Sequence, residues 1–389
     1  MPCIPSQELK VMVTKIKVMS LVLFCAFIVG GLWVSAGKRL WNDEVFSFFN
    51  SVNNISYTQM ALAKIPEGNN TPLFYAMQKA WLSLGSYRMP VTWVDMHSPS
   101  VYPDFYSNIF LRFWPVVCMS LAVVGVFYFF SRFYSIWLGL YALLVALSTF
   151  MVWAYAFEAR PYALWFLLTT IQGCLFIRCW GDQKAYERLV PWLILCHVLL
   201  ALSVVFSLIQ ISAVCLLLWV LKDRDWRRYI GLWLIPTIMA LFYYTHAPKY
   251  KFFFVDSMRE LISANLPTDR LLILALFGVF WFFNGVKGEA KRLTGAFGGF
   301  TLMVLLGCWV VLATLPLKDP DKIEGFRISN RYFICLAPLG IMATTLFSYY
   351  LTQAFKGWMR WLVVLALLVF LLWRMYRTVQ LIGSLHLQF

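Results

Sequence analysis

Charge is what this sequence has least of. Asp, Glu, Lys and Arg make up 13% of its 389 residues, about half the roughly 25% of a soluble domain. Histidine is scarcer still, and His97, His197, His246 and His386 form no HxxH or HExxH pattern. That removes the usual helical zinc sites. The chain has no GxxxxGK[ST], no GxGxxG and no GxSxG, so nucleotide-driven transport, dinucleotide chemistry and the hydrolase elbow lose their sequence support. Apart from Cys3 in the N-terminal tail, the nine cysteines lie in or at the ends of apolar runs. They read as small packing residues rather than as a disulfide framework.

What is present is apolar. Hydrophobic residues make up 61% of the chain and the mean hydropathy is +0.71, which points to an all-α polytopic membrane protein. The aromatic share of 18% fits, because such rings favour the membrane interface. The net charge of +15 is spread through short loops between apolar runs. Positive-inside bias and anionic lipid explain it, and nucleic acid is not an expected partner. Lys10, Lys15 and Lys17 precede the run 18–36, which reads as a signal anchor. Further runs near 109–130, 136–157, 161–180, 190–206, 208–221, 230–246, 271–286, 293–315, 333–352 and 360–375 approach the ~20 residues a bilayer needs. With the first, this predicts a bundle of about eleven transmembrane helices, the stretch 190–221 being read as a hairpin of two.

On that count the basic loops 222–229, 286–292 and 355–360 face the cytoplasm. Loop 38–108, the bend 157–162 and loops 246–270 and 316–332 then share the outer face, and most of the acids fall there. No repeat or low-complexity segment interrupts the chain, so 1–389 reads as one membrane domain. Inside loop 38–108 two short amphipathic helices are expected at the bilayer surface. In the first, Val45, Phe48, Phe49 and Val52 share a face opposite Ser47, Asn50 and Ser51. In the second, Thr71 suits an N-cap and Pro72 the first helical position, with Leu73, Met77, Trp81 and Leu84 along the apolar face.

Three places could carry chemistry. Asp43 and Glu44 are adjacent acids just past the first apolar run. They read either as first-turn acids answering a helix dipole or as a coupled pair in which one carboxylate serves as a general base. Glu158 and Arg160 stand at the joint between two apolar runs, before Pro161. A local ion pair closing the hairpin would explain them, yet charge at such depth is costly and is often functional. Arg327 and Arg331, at i and i+4, would share a helix face and suit a phosphate, the alternative being interfacial snorkelling. Lys249 and Lys251 are a weaker basic pair on the same side.

Together and in this order, these residues resemble the membrane-embedded GT-C glycosyltransferases that use polyprenyl-phosphate sugars, in the branch of the protein O-mannosyltransferases and lipid A aminoarabinose transferases. Asp43-Glu44 matches that family's acidic motif after the first helix. Thr71-Pro72-Leu73-Phe74-Tyr75 matches its proline-bearing juxtamembrane helix, and Leu111-Arg112-Phe113-Trp114-Pro115 its LRxP-like segment, shifted by one residue. Glu158-Ala159-Arg160-Pro161-Tyr162-Ala163-Leu164 matches an acid followed by ARPYAL, and Arg331-Tyr332 a late RY. The likeness covers residues 40–180 well and thins afterwards. A THYF-like segment of many relatives is replaced by Leu202-Ser203-Val204-Val205-Phe206.

The resemblance implies a GT-C-like bundle and an enzyme of the bacterial inner membrane, or of the endoplasmic reticulum in a eukaryote. Its site would face the periplasm or lumen. It would move a sugar from a polyprenyl-phosphate donor to a glycan, lipid or protein acceptor. Asp43 would be the base, Arg160, Arg327 and Arg331 would meet the phosphate with help from Lys249 and Lys251, and Glu44 and Glu158 would orient the base, the sugar or a metal. Some relatives use a divalent cation, for which Asp43, Glu44 and Glu158 would be the ligands. Two rivals stand beside it. A polymerase or ligase of lipid-linked glycans more often has its long loop in the second half of the chain. A carrier would line a path with charges inside the bundle.

Overall fold

Long apolar stretches without a breaker form helix here because in a bilayer the backbone must satisfy its own hydrogen bonds. A computed structural model describes residues 6–38, 40, 42–67, 70–87, 105–181, 183–248, 253–254, 274–275, 278, 281–282, 287–313, 326–327 and 330–386. The first helix, α1 (Ser6–Gly37), starts earlier than the apolar run and carries the basic residues within it. It packs along α5 (Phe105–Phe133) and otherwise presents exposed apolar side chains such as Val22, Val29 and Trp33. The last helix, Gly357–His386, is equally bare. Apolar faces this extensive belong against lipid, and the protein is embedded in a membrane.

By length and apolar composition, five described helices can cross a membrane: 11–37, 105–133, 162–180, 288–311 and 357–382. A sixth forms if α6 (Ile136–Leu147) and α7 (Phe150–Ala156), bent 66° apart at Ser148 and Thr149, count as one. The shortfall from eleven has local causes. The run 190–221 is two helices, α9 (Gln183–Ala201) and α10 (Ser207–Leu221), each short or interrupted by charge. The run 230–246 is broken by a π-helical turn at Ile230–Leu234 before the helix Ile235–His246. Most of 271–286 lies outside the described residues.

The core forms where α8 (Tyr162–Gly181) meets α5, α9 and the helices 288–313 and 336–354. Trp165, Phe166 and Phe176 of α8 are fully buried there, with Phe297, Phe300 and Ile341. A polar thread runs through it. His197 meets the carbonyl of Leu232 through Nδ1 and Gln172 through Nε2, Gln172 accepts from Gln210, and Trp165 donates to Gln210. Each member has a partner, as buried polar groups require.

Both short helices expected in loop 38–108 are present, but their buried faces differ from the sequence reading. The first is α2 (Asn42–Ser47), continued by a π-helical turn Phe48–Asn53. The wider turn shifts the register, so Ser47 and Ser51 are buried with Val45, Phe48 and Val52. After α3 (Tyr57–Ala61), opened by a capping box from Ser56 and Gln59, comes α4 (Pro72–Leu84). It buries Phe74, Tyr75, Gln78 and Leu82 and leaves Leu84 exposed. The helix is seated by tertiary hydrogen bonds that set its rotation, with Gln78 donating to the carbonyl of Leu111 and Trp81 to that of Phe110.

Candidate functional site

The segment 202–206 is the break between α9 and α10, and it holds the start of α4. Thr71 N–H donates to the carbonyl of Ser203 and Leu73 N–H to that of Leu202, while Asn70 and Val204 form an isolated antiparallel bridge. The Thr71 hydroxyl donates to the carbonyl of Ala201 at 2.9 Å instead of capping its own helix. The turn before α4 is thereby fixed. It carries Glu67, which accepts from Ser51 and from Asn70, each at 3.1 Å.

A second anchor ties the end of α1 to the same region. Arg112 of α5 is fully buried and bonds Glu44 through both of its carboxylate oxygens, Nε to Oε1 at 2.9 Å and Nη2 to Oε2 at 2.7 Å. Its Nη1 donates to the carbonyls of Ser35 and Lys38 at the C-terminus of α1. Glu44 Oε1 also accepts the backbone N–H of Ala159 at 2.7 Å. Four chain segments therefore meet on one buried, doubly bonded ion pair, the arrangement in which such pairs are strongest. Glu44, only 1% exposed, braces the site through both of its oxygens.

Between these anchors lies the cluster. Residues 157–161 form the bend between α7 and α8, and the carbonyl of Pro161 accepts the first bond of α8 from Trp165. Arg160 reaches from that bend to Asp43 through Nη1 and to Glu67 through Nη2, both at 2.7 Å. Arg331, on a 3-10 turn at Asn330–Phe333, meets the same Asp43 oxygen at 2.5 Å. Glu158 stands 3.9 Å from Arg160 and 3.8 Å from Arg331. Both guanidiniums lie over the ring of Tyr162. Burial pushes the Glu158 carboxyl above the usual carboxylate range, against the pull of Arg160 and Arg331. Burial likewise lowers the Lys38 ammonium, whose Nζ donates to the carbonyl of Phe157. An apolar cavity of about 200 Å³ opens beside the bend, lined by Phe27, Gly30, Val34, Val116, Ala156 and Phe157.

Of the residues singled out in the sequence, Asp43, Glu158, Arg160 and Arg331 come together, and Glu44 stands behind them. Arg327 does not share a helix with Arg331. Its backbone is in a two-residue strand, Phe326–Arg327, paired in parallel with Phe253–Phe254. That pairing interrupts the i, i+4 relation, and the Arg327 side chain lies outside the described residues, as do Lys249 and Lys251. Glu67 and Arg112 are the members that sequence reasoning missed. The lone Arg112 within an apolar run was the available signal, since a charge there implies a partner. Arg112 stands against Glu44, and Arg160 and Arg331 against Asp43 and Glu158, the three acids named as candidate metal ligands. Among the described residues no three of His, Cys, Asp and Glu gather as a metal site.

No protein-family model matches this chain, and no curated protein does either.

Proposed function

We propose that the chain is a membrane glycosyltransferase that moves a sugar from a polyprenyl-phosphate donor to an acceptor on the periplasmic or luminal face. One observation carries the reading. Asp43, Glu158, Arg160 and Arg331, named from three distant segments, sit within a single charged cluster beside the bend before α8. A lone ion pair needs no such convergence. Two guanidiniums beside a partly exposed carboxylate and an apolar cavity are the parts this reaction requires.

In the reaction an acceptor hydroxyl attacks C1 of the sugar and loses its proton to Asp43. The bond from C1 to the phosphate oxygen breaks, and the electron pair leaves with polyprenyl phosphate. Arg160 and Arg331 hold that oxyanion, and Glu67 and the Glu44–Arg112 pair keep the parts aligned. The lipid tail remains among apolar side chains such as those of the cavity beside α1. A carrier would line an intramembrane path with charge, whereas Asp43, Glu67, Glu158, Arg160 and Arg331 gather beside the first turn of α8.

The test is release of polyprenyl phosphate from a panel of polyprenyl-phosphate sugars by the purified protein, run beside Asp43→Asn. One sugar should be transferred, with turnover lowered about 100-fold or more in the variant, the usual scale for a general base. A variant that turns over at the wild-type rate would remove Asp43 as the base. A wild type that binds these lipids but transfers none would favour a carrier.

A further inference from the structure

We infer that Asp43 is the resident anion of the Arg160–Arg331 pair, and that a phosphate-bearing ligand enters by exchanging with it. This rests on the reading of the cluster as a phosphate site and adds an order of events to it. The Asp43 oxygen lies between Nη1 of Arg160, at 2.7 Å, and Nη1 of Arg331, at 2.5 Å. An oxygen of a phosphate held by both guanidiniums would take that same place.

Asp43 is also the acid best able to leave. Its side chain is 35% exposed, against 4% for Glu67 and 11% for Glu158, and it sits in the first turn of the short helix α2. Arg160 would not follow it. Nη2 stays bonded to Glu67, which Ser51 and Asn70 hold in turn. Arg160, one of the two guanidiniums, is thus held independently of the carboxylate that fills the pocket.

Asp43 moreover leaves the pocket incompletely bonded. Among the described residues, Nε of Arg160, Nε of Arg331 and the hydroxyl of Tyr162 are buried without a hydrogen-bond partner. A carboxylate brings two oxygens. The phosphodiester of the donor also brings two charged oxygens but adds two ester oxygens, and the polyprenyl phosphate formed in the reaction brings three strong acceptors. Exchange would therefore bring further acceptors toward donors that Asp43 does not reach, most of all with the monophosphate. It would also release the carboxylate only once the donor phosphate is seated. The base is then tied up in the resting protein and free in the loaded one, so donor binding precedes activation of the acceptor.

The experiment titrates the full chain in nanodiscs with polyprenyl monophosphate, polyprenol and inorganic phosphate, comparing wild type, Asp43→Asn and Glu67→Gln. Asp43→Asn should bind polyprenyl monophosphate about tenfold tighter, equivalent to about 1.4 kcal/mol, with polyprenol unaffected. Glu67→Gln removes the same charge from the same arginine but not from the pocket, and should bind no tighter than wild type. Tightening for the lipid phosphate alone supports exchange with a lipid headgroup, and tightening for inorganic phosphate as well supports exchange with phosphate from either source. Unchanged or weaker binding by Asp43→Asn overturns the exchange. So does equal tightening in both variants, since that would report a general relief of negative charge. If Asp43→Asn tightens while the wild type transfers no sugar, the transferase reading falls and the exchange stands. Transfer without tightening would mean the reverse.

Discussion

At the scale of single residues, the adjacent carboxylates Asp43 and Glu44 have opposite fates. Glu44 is sealed against Arg112, while Asp43 meets the two arginines of the cluster. The sequence could name the pair but not divide its labour, because the partner that claims Glu44 comes from a helix far along the chain. Removing one member of a buried pair leaves a desolvated charge. Glu44→Gln or Arg112→Met alone should each cost about 3–5 kcal/mol, and Glu44→Gln with Arg112→Met much less than the sum. A double-mutant cycle on reversible unfolding in mixed micelles measures this, and additive losses would contradict it.

At the scale of elements, boundaries were more legible than faces. Thr71-Pro72 marked the start of α4, and Pro161 the start of α8, because proline acts locally through its fixed φ and missing donor. The buried side of α4 was not legible, since it is set by carbonyls of the 201–203 segment and by Leu111 and Phe110. Nor was the strand at Phe326–Arg327, which depends on a partner from another loop. The seat of α4 can be loosened without touching the charged cluster. Thr71→Val leaves the carbonyl of Ala201 without its buried donor, at about 1–3 kcal/mol. Amide exchange should then quicken through 73–84 and stay unchanged in α5. Uniform quickening would mean that α4 does not open as a local unit.

At the scale of the molecule, α8 sets the distance between two unlike ends. Arg160 stands just before its first residue, and near its last the carbonyl of Trp180 accepts from Lys222, beside Asp223 and Arg228. A 20-residue helix spans about 30 Å, the thickness of the hydrocarbon core. The acid-rich cluster and the basic 222–229 loop should therefore open to opposite compartments. Single cysteines at Gln59 and Arg224, probed with a membrane-impermeant maleimide on sealed vesicles, should label from opposite sides. Labelling of both from one side would refute that arrangement. The membrane class was plain from composition alone. The number of crossings was not, because hydropathy counts apolar residues and is blind to the π-helical turn and the 66° bend that interrupt them.

The short helix α2 also fixes a phase. Successive side chains on an α-helix point about 100° apart, so Asp43 and Glu44 owe their separate destinations to one residue of register. Deleting a single residue between the end of α1 and Asp43 would bring Glu44 to the place of Asp43, in the arginine pocket, and Val45 to the place of Glu44, leaving Arg112 without its carboxylate. The composition of the segment would barely change, yet the brace would be lost. The spacing between α1 and these acids is thus as much a part of the site as the acids are.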